Sequence, residues 1–285
     1  MIDTLGLIAE GEIKQKQIDL IKANPFFSKT NEYGVTMKAN KNTLSTVEET
    51  LKAKESIDNI YPHRIKRLDL ACDFTSKLED NIELYKLFLG CLNQVRGNSL
   101  SLSITNFEKE KEKKGNLKIK KSFKETTFYN CDDKERFNSL GEVIYCRFEN
   151  RILNIRNSKP DREKITSEIK LLISEIRAIK TNLNSSDSYF LREVEDFYIN
   201  LIAETYSKKK ETYLNIQEFI RVVEEKEQIL TKRILEESLK KCGYTHNTDK
   251  FIKRFKKARG NGNFKFVFKK DLIKLCDILI ENFEK

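Results

Sequence analysis

One eight-residue stretch, RLDLACDF at 67–74, constrains the fold of this chain most strongly. Apolar and polar side chains alternate along it, a period-two pattern that predicts a β-strand with two different faces. The face that begins with Leu68 is apolar and indicates a packed core. The other face carries Asp69 and Asp73, about 13 Å apart along the strand, with only the small Ala71 between them.

The rest of the first half predicts an α+β fold. A helix is predicted over Asn81–Val95, and the intervening stretch Glu108–Lys121 is charged enough to predict a solvated loop or hairpin end. We therefore predict an N-terminal domain over 1–158, an antiparallel sheet with packed helices. The predicted strands are Ile2–Ile8, Tyr33–Ala39, Ile65–Thr75, Leu100–Phe107, Phe123–Asn130 and Val143–Ile155.

Beyond Pro160 the apolar residues recur at three and four positions, which predicts a mainly helical second domain over 159–285. One helix over 232–242 ends before Gly243, and a second begins near 248 and ends near 258. A turn, RGNG, then leads to a strand, FKFVFKK, and a closing helix over Leu272–Phe283. This order of elements is typical of a winged helix-turn-helix, here within 230–285.

Charge favours a polyanionic partner for the C-terminal part. The net charge is +10, and residues 251–285 contain ten basic and four acidic side chains. A lysine-rich protein without a nucleic-acid partner is the alternative reading of the same charge. The candidate DNA-binding residues are Lys250, Lys253, Arg254 and Lys257 in the second helix and Lys265 in the predicted wing, which would also contain Lys269 and Lys270.

Composition excludes several protein classes. There is no run of about 18 apolar residues, and the start of the chain has no signal-peptide pattern, so we expect a cytoplasmic protein with no membrane contact. The six cysteines form no CxxC pair and no cluster with the two histidines. They predict reduced core residues rather than a disulfide framework or a zinc site.

Two further predicted strands also have a polar face. In CRFENRIL, Arg147, Glu149 and Arg151 share one side, and in FKETTFYN the Tyr129 side chain shares a side with Glu125. If these strands neighbour RLDLACDF, their polar faces meet. The group would then be either an exposed sheet face with cross-strand ion pairs or a phosphoryl-transfer site, where carboxylates hold a divalent cation and a tyrosine attacks phosphorus.

The order IKRLDLACDF, helix, KETTFYN and VIYCRFENRIL resembles the gene II replication initiators of filamentous phages and their plasmid-borne relatives. That family has an Arg-hydrophobic-Asp strand, a later Tyr-x-Lys segment and an Arg-Phe-Glu-x-Arg strand. The chain is similar, more distantly, to replication initiators of small rolling-circle plasmids of Gram-positive bacteria. The resemblance covers about residues 60–155.

The resemblance implies a nickase-like catalytic domain that cuts one DNA strand at a double-strand origin and later rejoins it. Tyr129 would be the nucleophile. Asp69 and Glu149 would hold Mg²⁺ or Mn²⁺, with Asp73 as a third ligand. Arg147 and Arg151 would grip phosphate oxygens.

The sequence departs from the family pattern at one position, since Tyr-x-Lys reads Tyr129-Asn130-Cys131 here. Lys134 or Lys124 would have to replace the family lysine. His63, just before the first strand, is a candidate ligand or a loop histidine. Tyr145 and Tyr61 are reserve nucleophiles.

The expected partners are double-stranded origin DNA and single-stranded DNA, and binding of a host helicase or polymerase and self-association are left open. Two other functions remain open. A non-catalytic origin-binding initiator or transcriptional regulator would use the C-terminal winged helix alone. A mobilisation protein of the relaxase type would use the same chemistry at a transfer origin.

Overall fold

The computed structural model describes residues 2–24, 27–31, 34–38, 46–97, 116–121, 123–131, 137, 141–155, 159–185, 189–207, 219, 231–244, 248–258 and 267–284. The fold is α+β, as the sequence pattern predicts, and its centre is an antiparallel β-sheet. None of the helices in these segments is long and apolar enough to span a bilayer.

The sheet contains seven strands within the described residues, in the order β2-β3-β1-β4-β7-β6-β5. Every pair of neighbours is antiparallel. The central strands are β1, β4 and β7, and β5 is an edge strand. The bounds are β1 Ile2–Ala9, β2 Phe27–Asn31, β3 Gly34–Lys38, β4 His63–Phe74, β5 Asn116–Lys121, β6 Lys124–Asn130 and β7 Cys146–Leu153.

Helices cover one face of this sheet. Helices α3, α4 and α8 pack on one another and on β4 or β5, and α2 packs on α4 and β1. Helix α2 begins with a capping box. The Thr46 hydroxyl accepts from the backbone N–H of Glu49, and the Glu49 carboxylate accepts from the backbone N–H of Thr46. The bounds are α1 Gln15–Lys22, α2 Val47–Asp58, α3 Ile82–Val95, α4 Asp161–Asn184, α5 Tyr189–Ser207, α6 Lys232–Lys241, α7 Thr248–Ala258 and α8 Lys269–Glu284.

An aromatic cluster forms the core between the sheet and the helices. The ring of Phe128 stacks on Tyr85 with centroids 4.2 Å apart and meets Phe148 edge-on at 5.1 Å. Phe148 in turn contacts Phe283 of α8 at 6.1 Å. The last helix therefore shares a hydrophobic core with the N-terminal sheet, and the boundary between 158 and 159 stays a prediction.

Two expectations about local structure are wrong. Residues Asn116–Lys121, from the stretch predicted as a solvated loop or hairpin end, form the strand β5, which pairs along its length with β6 in a hairpin. Lys269 and Lys270 are the first two residues of α8 and not part of a wing strand. The predicted strand Leu100–Phe107 and residues 259–266 of the predicted wing lie outside the described residues.

The burial of the cysteines agrees with the prediction that they are core residues. No disulfide joins any of the six, and five of them are buried. Cys72, Cys91 and Cys146 belong to the hydrophobic core, where they occupy apolar positions of their strands and helix.

Candidate functional site

Strands β4, β7 and β6 bring their polar residues onto one face of the sheet, opposite the helices. Ala71 lies opposite Glu149, which lies opposite Thr127, and antiparallel partners share a face. The three strands are therefore adjacent in the sheet, as considered from the sequence, and β7 lies between β4 and β6. This polar face carries Arg67, Asp69 and Asp73 from β4, Arg147, Glu149 and Arg151 from β7, and Glu125 and Tyr129 from β6.

A β-bulge adds Asp3 to the polar face. Ile2 pairs with Leu70 and Thr4 with Asp69, so Asp3 is one extra residue in β1. A bulge re-aims side chains because two residues then oppose one on the neighbouring strand. Strict alternation along β1 puts Asp3 on the same side as the buried Leu5 and Leu7, so an acidic residue at an apparent core position is the signal in the sequence that could have identified it.

Three carboxylates converge on this face. One oxygen from each of Asp3, Asp69 and Glu149 lies within 4.8 Å of the other two. Asp69 is 1% exposed and Glu149 is 4% exposed, so both acids are removed from bulk water. Neither is left unpaired, because Asp69 accepts from Arg67 and Glu149 accepts from Arg151 at 2.6 Å.

The Tyr129 hydroxyl lies next to this group and donates to Oε2 of Glu149 at 2.9 Å. Burial, reinforced by the Glu149 charge, raises the pKa of the Tyr129 phenol. Burial and the neighbouring Asp69 charge raise the pKa of Glu149, although Arg151 partly offsets them. The predicted nucleophile is thus in contact with a predicted metal ligand.

The two predicted phosphate-binding arginines are held by carboxylates in this structure. Arg147 forms a two-point pair with Asp73, at 2.6 and 2.9 Å, and also contacts Asp3. Burial disfavours the Arg147 charge, but these two acids outweigh burial and raise its pKa. Arg151 donates to Glu125 at 3.0 Å in addition to its bond with Glu149.

Asp73 is placed differently from the other predicted ligands. Its carboxylate belongs to the Arg147 pair, and the group of three that could hold an ion contains Asp3 in its place. Within the described residues, no other group of His, Cys, Asp and Glu has ligand atoms this close together.

The donor set fits a hard divalent cation. Mg²⁺ prefers oxygen ligands at about 2.0–2.1 Å in an octahedron, so opposite ligands are about 4.2 Å apart. Only one pair among three ligands can be opposite, and adjacent ligands are about 3 Å apart, so oxygens within 4.8 Å of one another would need to approach by up to about 1.8 Å. Carboxylates alone, without thiol or imidazole, favour Mg²⁺, Ca²⁺ or Mn²⁺ over zinc.

Charge balance on the polar face also favours a cation. The described ion pairs there involve five carboxylates and three guanidinium groups, an excess of two negative charges. One divalent ion would neutralise this excess. Without it, the carboxylates would repel a phosphate group that approached Tyr129.

Other predicted residues lie away from this site. His63 is buried near the start of β4, about 20 Å along the strand from Asp69, and its Nδ1 lies 2.5 Å from the Tyr61 carbonyl oxygen. Lys124 points to the helices and pairs with Glu168 at 3.4 Å. Lys134 lies outside the described residues.

The reserve nucleophiles are not near the carboxylates in any described contact. The Tyr145 ring lies under the Lys77 ammonium, 5.7 Å from its nitrogen. The Tyr61 hydroxyl packs so close to Gly11 that a Cβ at Gly11 would lie 2.4 Å from it. Of these three tyrosines, Tyr129 is the one that contacts the acidic group.

In the C-terminal part, α6 and α7 occupy the predicted positions of two successive helices. Lys250 and Lys253 of α7 are exposed, whereas Phe251 and Ile252 are buried. The side chains of Arg254 and Lys257, and all of Lys265, lie outside the described part of the chain.

Comparison with known proteins adds no relative: no protein-family model, curated protein or solved structure matches this chain.

Proposed function

We propose that this protein is a metal-dependent DNA nickase and strand transferase that initiates rolling-circle replication, with Tyr129 as its nucleophile. One observation carries the proposal: the Tyr129 hydroxyl lies 2.9 Å from a carboxylate that, with two others, fits a divalent cation. A phenol, a proton acceptor and hard oxygen ligands in one place are the groups that tyrosine-dependent phosphoryl transfer needs. The resemblance of residues 60–155 to the gene II initiator family supports the same reading.

In the proposed reaction, the Tyr129 oxygen attacks the phosphorus of a phosphodiester. A bond forms between that oxygen and phosphorus, and the bond between phosphorus and the 3′-oxygen breaks. The product is a free 3′-hydroxyl and a 5′-phosphotyrosyl link. Because the link keeps the phosphate activated, attack by a 3′-hydroxyl in the reverse direction rejoins a strand.

Glu149 would move the proton. It already accepts the Tyr129 hydroxyl proton in a hydrogen bond, and its raised pKa suits a group that takes a proton and returns it. The proton passes from the phenol to Glu149 and then to the leaving 3′-oxygen. A divalent cation at the three carboxylates would polarise the phosphoryl oxygens and neutralise charge in the transition state.

Arg147 and Arg151 border the attacked position. Arg147 lies directly opposite Tyr129 across β7 and β6, and Arg151 contacts Glu149. In the proposal, their guanidinium groups contact phosphate oxygens next to the attacked phosphorus once the substrate is bound.

The test uses purified protein, Mg²⁺ or Mn²⁺, and a supercoiled plasmid that carries the DNA flanking the protein's own gene. We expect nicked circles and a covalent adduct of protein with a 5′-phosphate. Tyr129→Phe should give neither product, whereas Tyr145→Phe should give both. An adduct formed by Tyr129→Phe, or lost in Tyr145→Phe, would show that the nucleophile is wrongly assigned.

A second candidate function is a non-catalytic origin-binding protein, favoured by the exposed Lys250 and Lys253 on α7. In that case Tyr129→Phe and chelation of divalent metal would leave origin binding and replication intact. The Lys250→Gln, Lys253→Gln double variant would weaken duplex binding under either function, because each lysine would contact phosphate.

A further inference from the structure

A cavity of about 420 Å³ lies at one end of the polar face, beyond Asp69. Gly6, Arg67 and Leu153 lie side by side in its floor, across β1, β4 and β7. Its volume is within the range of about 300–1,000 Å³ that is usual for small-ligand sites. The remaining lining residues are Leu7, Lys66 and Asn154.

A second β-bulge brings two consecutive cations to this cavity. Arg67 pairs with Gly6 and Ile65 with Leu7, so Lys66 is an extra residue in β4. In a regular strand, neighbouring side chains point to opposite faces, but at a bulge both residues oppose the same partner. Lys66 and Arg67 therefore both line the cavity, and Lys66 is exposed.

Gly6 allows Arg67 to pack closely against β1 in the floor of the cavity. A Cβ at Gly6 would lie 2.8 Å from Cβ of Arg67, a distance that real side chains do not tolerate. On the opposite wall, Asn154 has φ 63°, a left-handed conformation that asparagine adopts more readily than most residues. None of the six lining residues carries a negative charge, in contrast to the acidic group next to it.

The cavity and the carboxylates are adjacent in the strand. Arg67 and Asp69 are two residues apart on β4, about 6.6 Å, and the Arg67 guanidinium donates to the Asp69 carboxylate. This separation is on the order of one nucleotide step of an extended strand. A strand whose phosphate lies over the carboxylates would thus place a neighbouring phosphate at the cavity.

We propose that this cavity binds a phosphodiester of single-stranded DNA immediately next to the one that is cut, with Lys66 as its main charged contact. The inference rests on the proposed nickase function and names a substrate-positioning site for it. The two regions differ in their chemistry: phosphate binds directly to the basic cavity, whereas the acidic group needs a cation to accept it.

The first test measures binding of fluorescently labelled (dT)12 by anisotropy at several salt concentrations, with EDTA present. We expect Lys66→Gln to make the plot of log K against log salt shallower by about 0.7, the value for one lost phosphate contact with a single strand. Lys170→Gln removes the same charge from an exposed position on α4 and should leave the slope unchanged. Equal slopes for all three proteins, or no binding by the unchanged protein, would overturn the inference.

The second test locates the contact. Oligonucleotides that span the mapped nick carry a neutral methylphosphonate at one position each. We expect a methylphosphonate next to the nick to weaken binding by the unchanged protein and by Lys170→Gln. The same methylphosphonate should not weaken binding by Lys66→Gln any further, because that variant has already lost the contact. A Lys66-dependent loss at a distant phosphate would refute the assigned position. If the unchanged protein fails to nick but shows the Lys66 salt effect, the nickase proposal fails while the phosphate contact stands.

Discussion

The hydroxyl of Tyr129 donates a hydrogen bond to Oε2 of Glu149 at 2.9 Å, from β6 to the neighbouring β7. The two residues are diagonal neighbours, since Tyr129 pairs with Arg147 and Glu149 with Thr127. The bond satisfies a carboxylate that is 4% exposed and holds the phenol against one member of the group of three carboxylates. Stability and proposed chemistry therefore depend on the same contact.

Removing this hydroxyl should destabilise the protein. Tyr129→Phe takes away a hydrogen bond to a buried carboxylate, and bonds to charged groups contribute about 1.5–3 kcal/mol. We expect a loss of that size in the free energy of unfolding, measured with urea. Tyr145→Phe is the matched control and should stay within about 0.5 kcal/mol, because its ring contact with Lys77 survives. Equal losses would contradict the assigned contact.

Divalent metal should stabilise the folded protein. An ion that binds only the native state adds about 2.7 kcal/mol at a concentration 100 times its dissociation constant. We expect Mg²⁺ or Mn²⁺ to raise the thermal midpoint and EDTA to reverse the rise. Glu149→Gln should abolish the effect, whereas Glu281→Gln, at an exposed position on α8, should retain it. A metal response that survives in Glu149→Gln would exclude this carboxylate as a ligand.

Asp3 and Asp73 should respond differently to substitution. Asp3→Asn should lose the metal-dependent rise in midpoint, since Asp3 is in the group of three carboxylates. Asp73→Asn should keep that rise but cost about 3 kcal/mol, because it breaks the pair with the buried Arg147. The reverse result would restore Asp73 as the third ligand. Calorimetry with and without Mn²⁺ measures both effects.

His63 should make stability depend on pH. Burial lowers its pKa below the ordinary value of about 6.5, even though the neighbouring Asp58 charge favours the protonated ring. As pH falls below about 6.5, the unfolded chain takes up a proton that the folded chain refuses, so stability decreases. We expect urea unfolding at pH 7.5 and 5.5 to show this decrease, and His63→Gln to show a smaller one. An unchanged pH dependence in the variant would assign the effect to other groups.

Phe128 should be the most sensitive aromatic position of the sheet. It is fully buried against Tyr85 and Phe148, so Phe128→Ala should cost about 3–5 kcal/mol. Phe123, the residue just before the same strand, is 51% exposed, and its replacement by alanine should cost about 0.5 kcal/mol or less. Similar losses would show that the strand is shifted in register.

Strands with strict alternation could be predicted closely from sequence. The prediction Ile65–Thr75 corresponds to β4 at His63–Phe74, and Val143–Ile155 contains β7 at Cys146–Leu153. The helix predicted over Asn81–Val95 corresponds to α3 at Ile82–Val95. These predictions are accurate because the spacing of apolar residues in a strand or helix that packs on one side depends only on residues near each other in the chain.

Strand β5 was missed because its charge suggested a loop. At the edge of the sheet, its lysines remain compatible with pairing to β6, and charged side chains are common on such strands. Strand β2 and helices α1 and α2 were also not predicted.

The sequence by itself determined that β4, β6 and β7 each have one apolar and one polar face, because alternation depends only on neighbours in the chain. Only the tertiary structure decided which strands are adjacent and where β1 and β4 are bulged. Those choices come from hydrogen-bond register between distant segments, which leaves no local pattern. They place Asp3 beside Asp69 and Glu149, move Lys66 to the cavity above Gly6, and bring Tyr129 to Glu149.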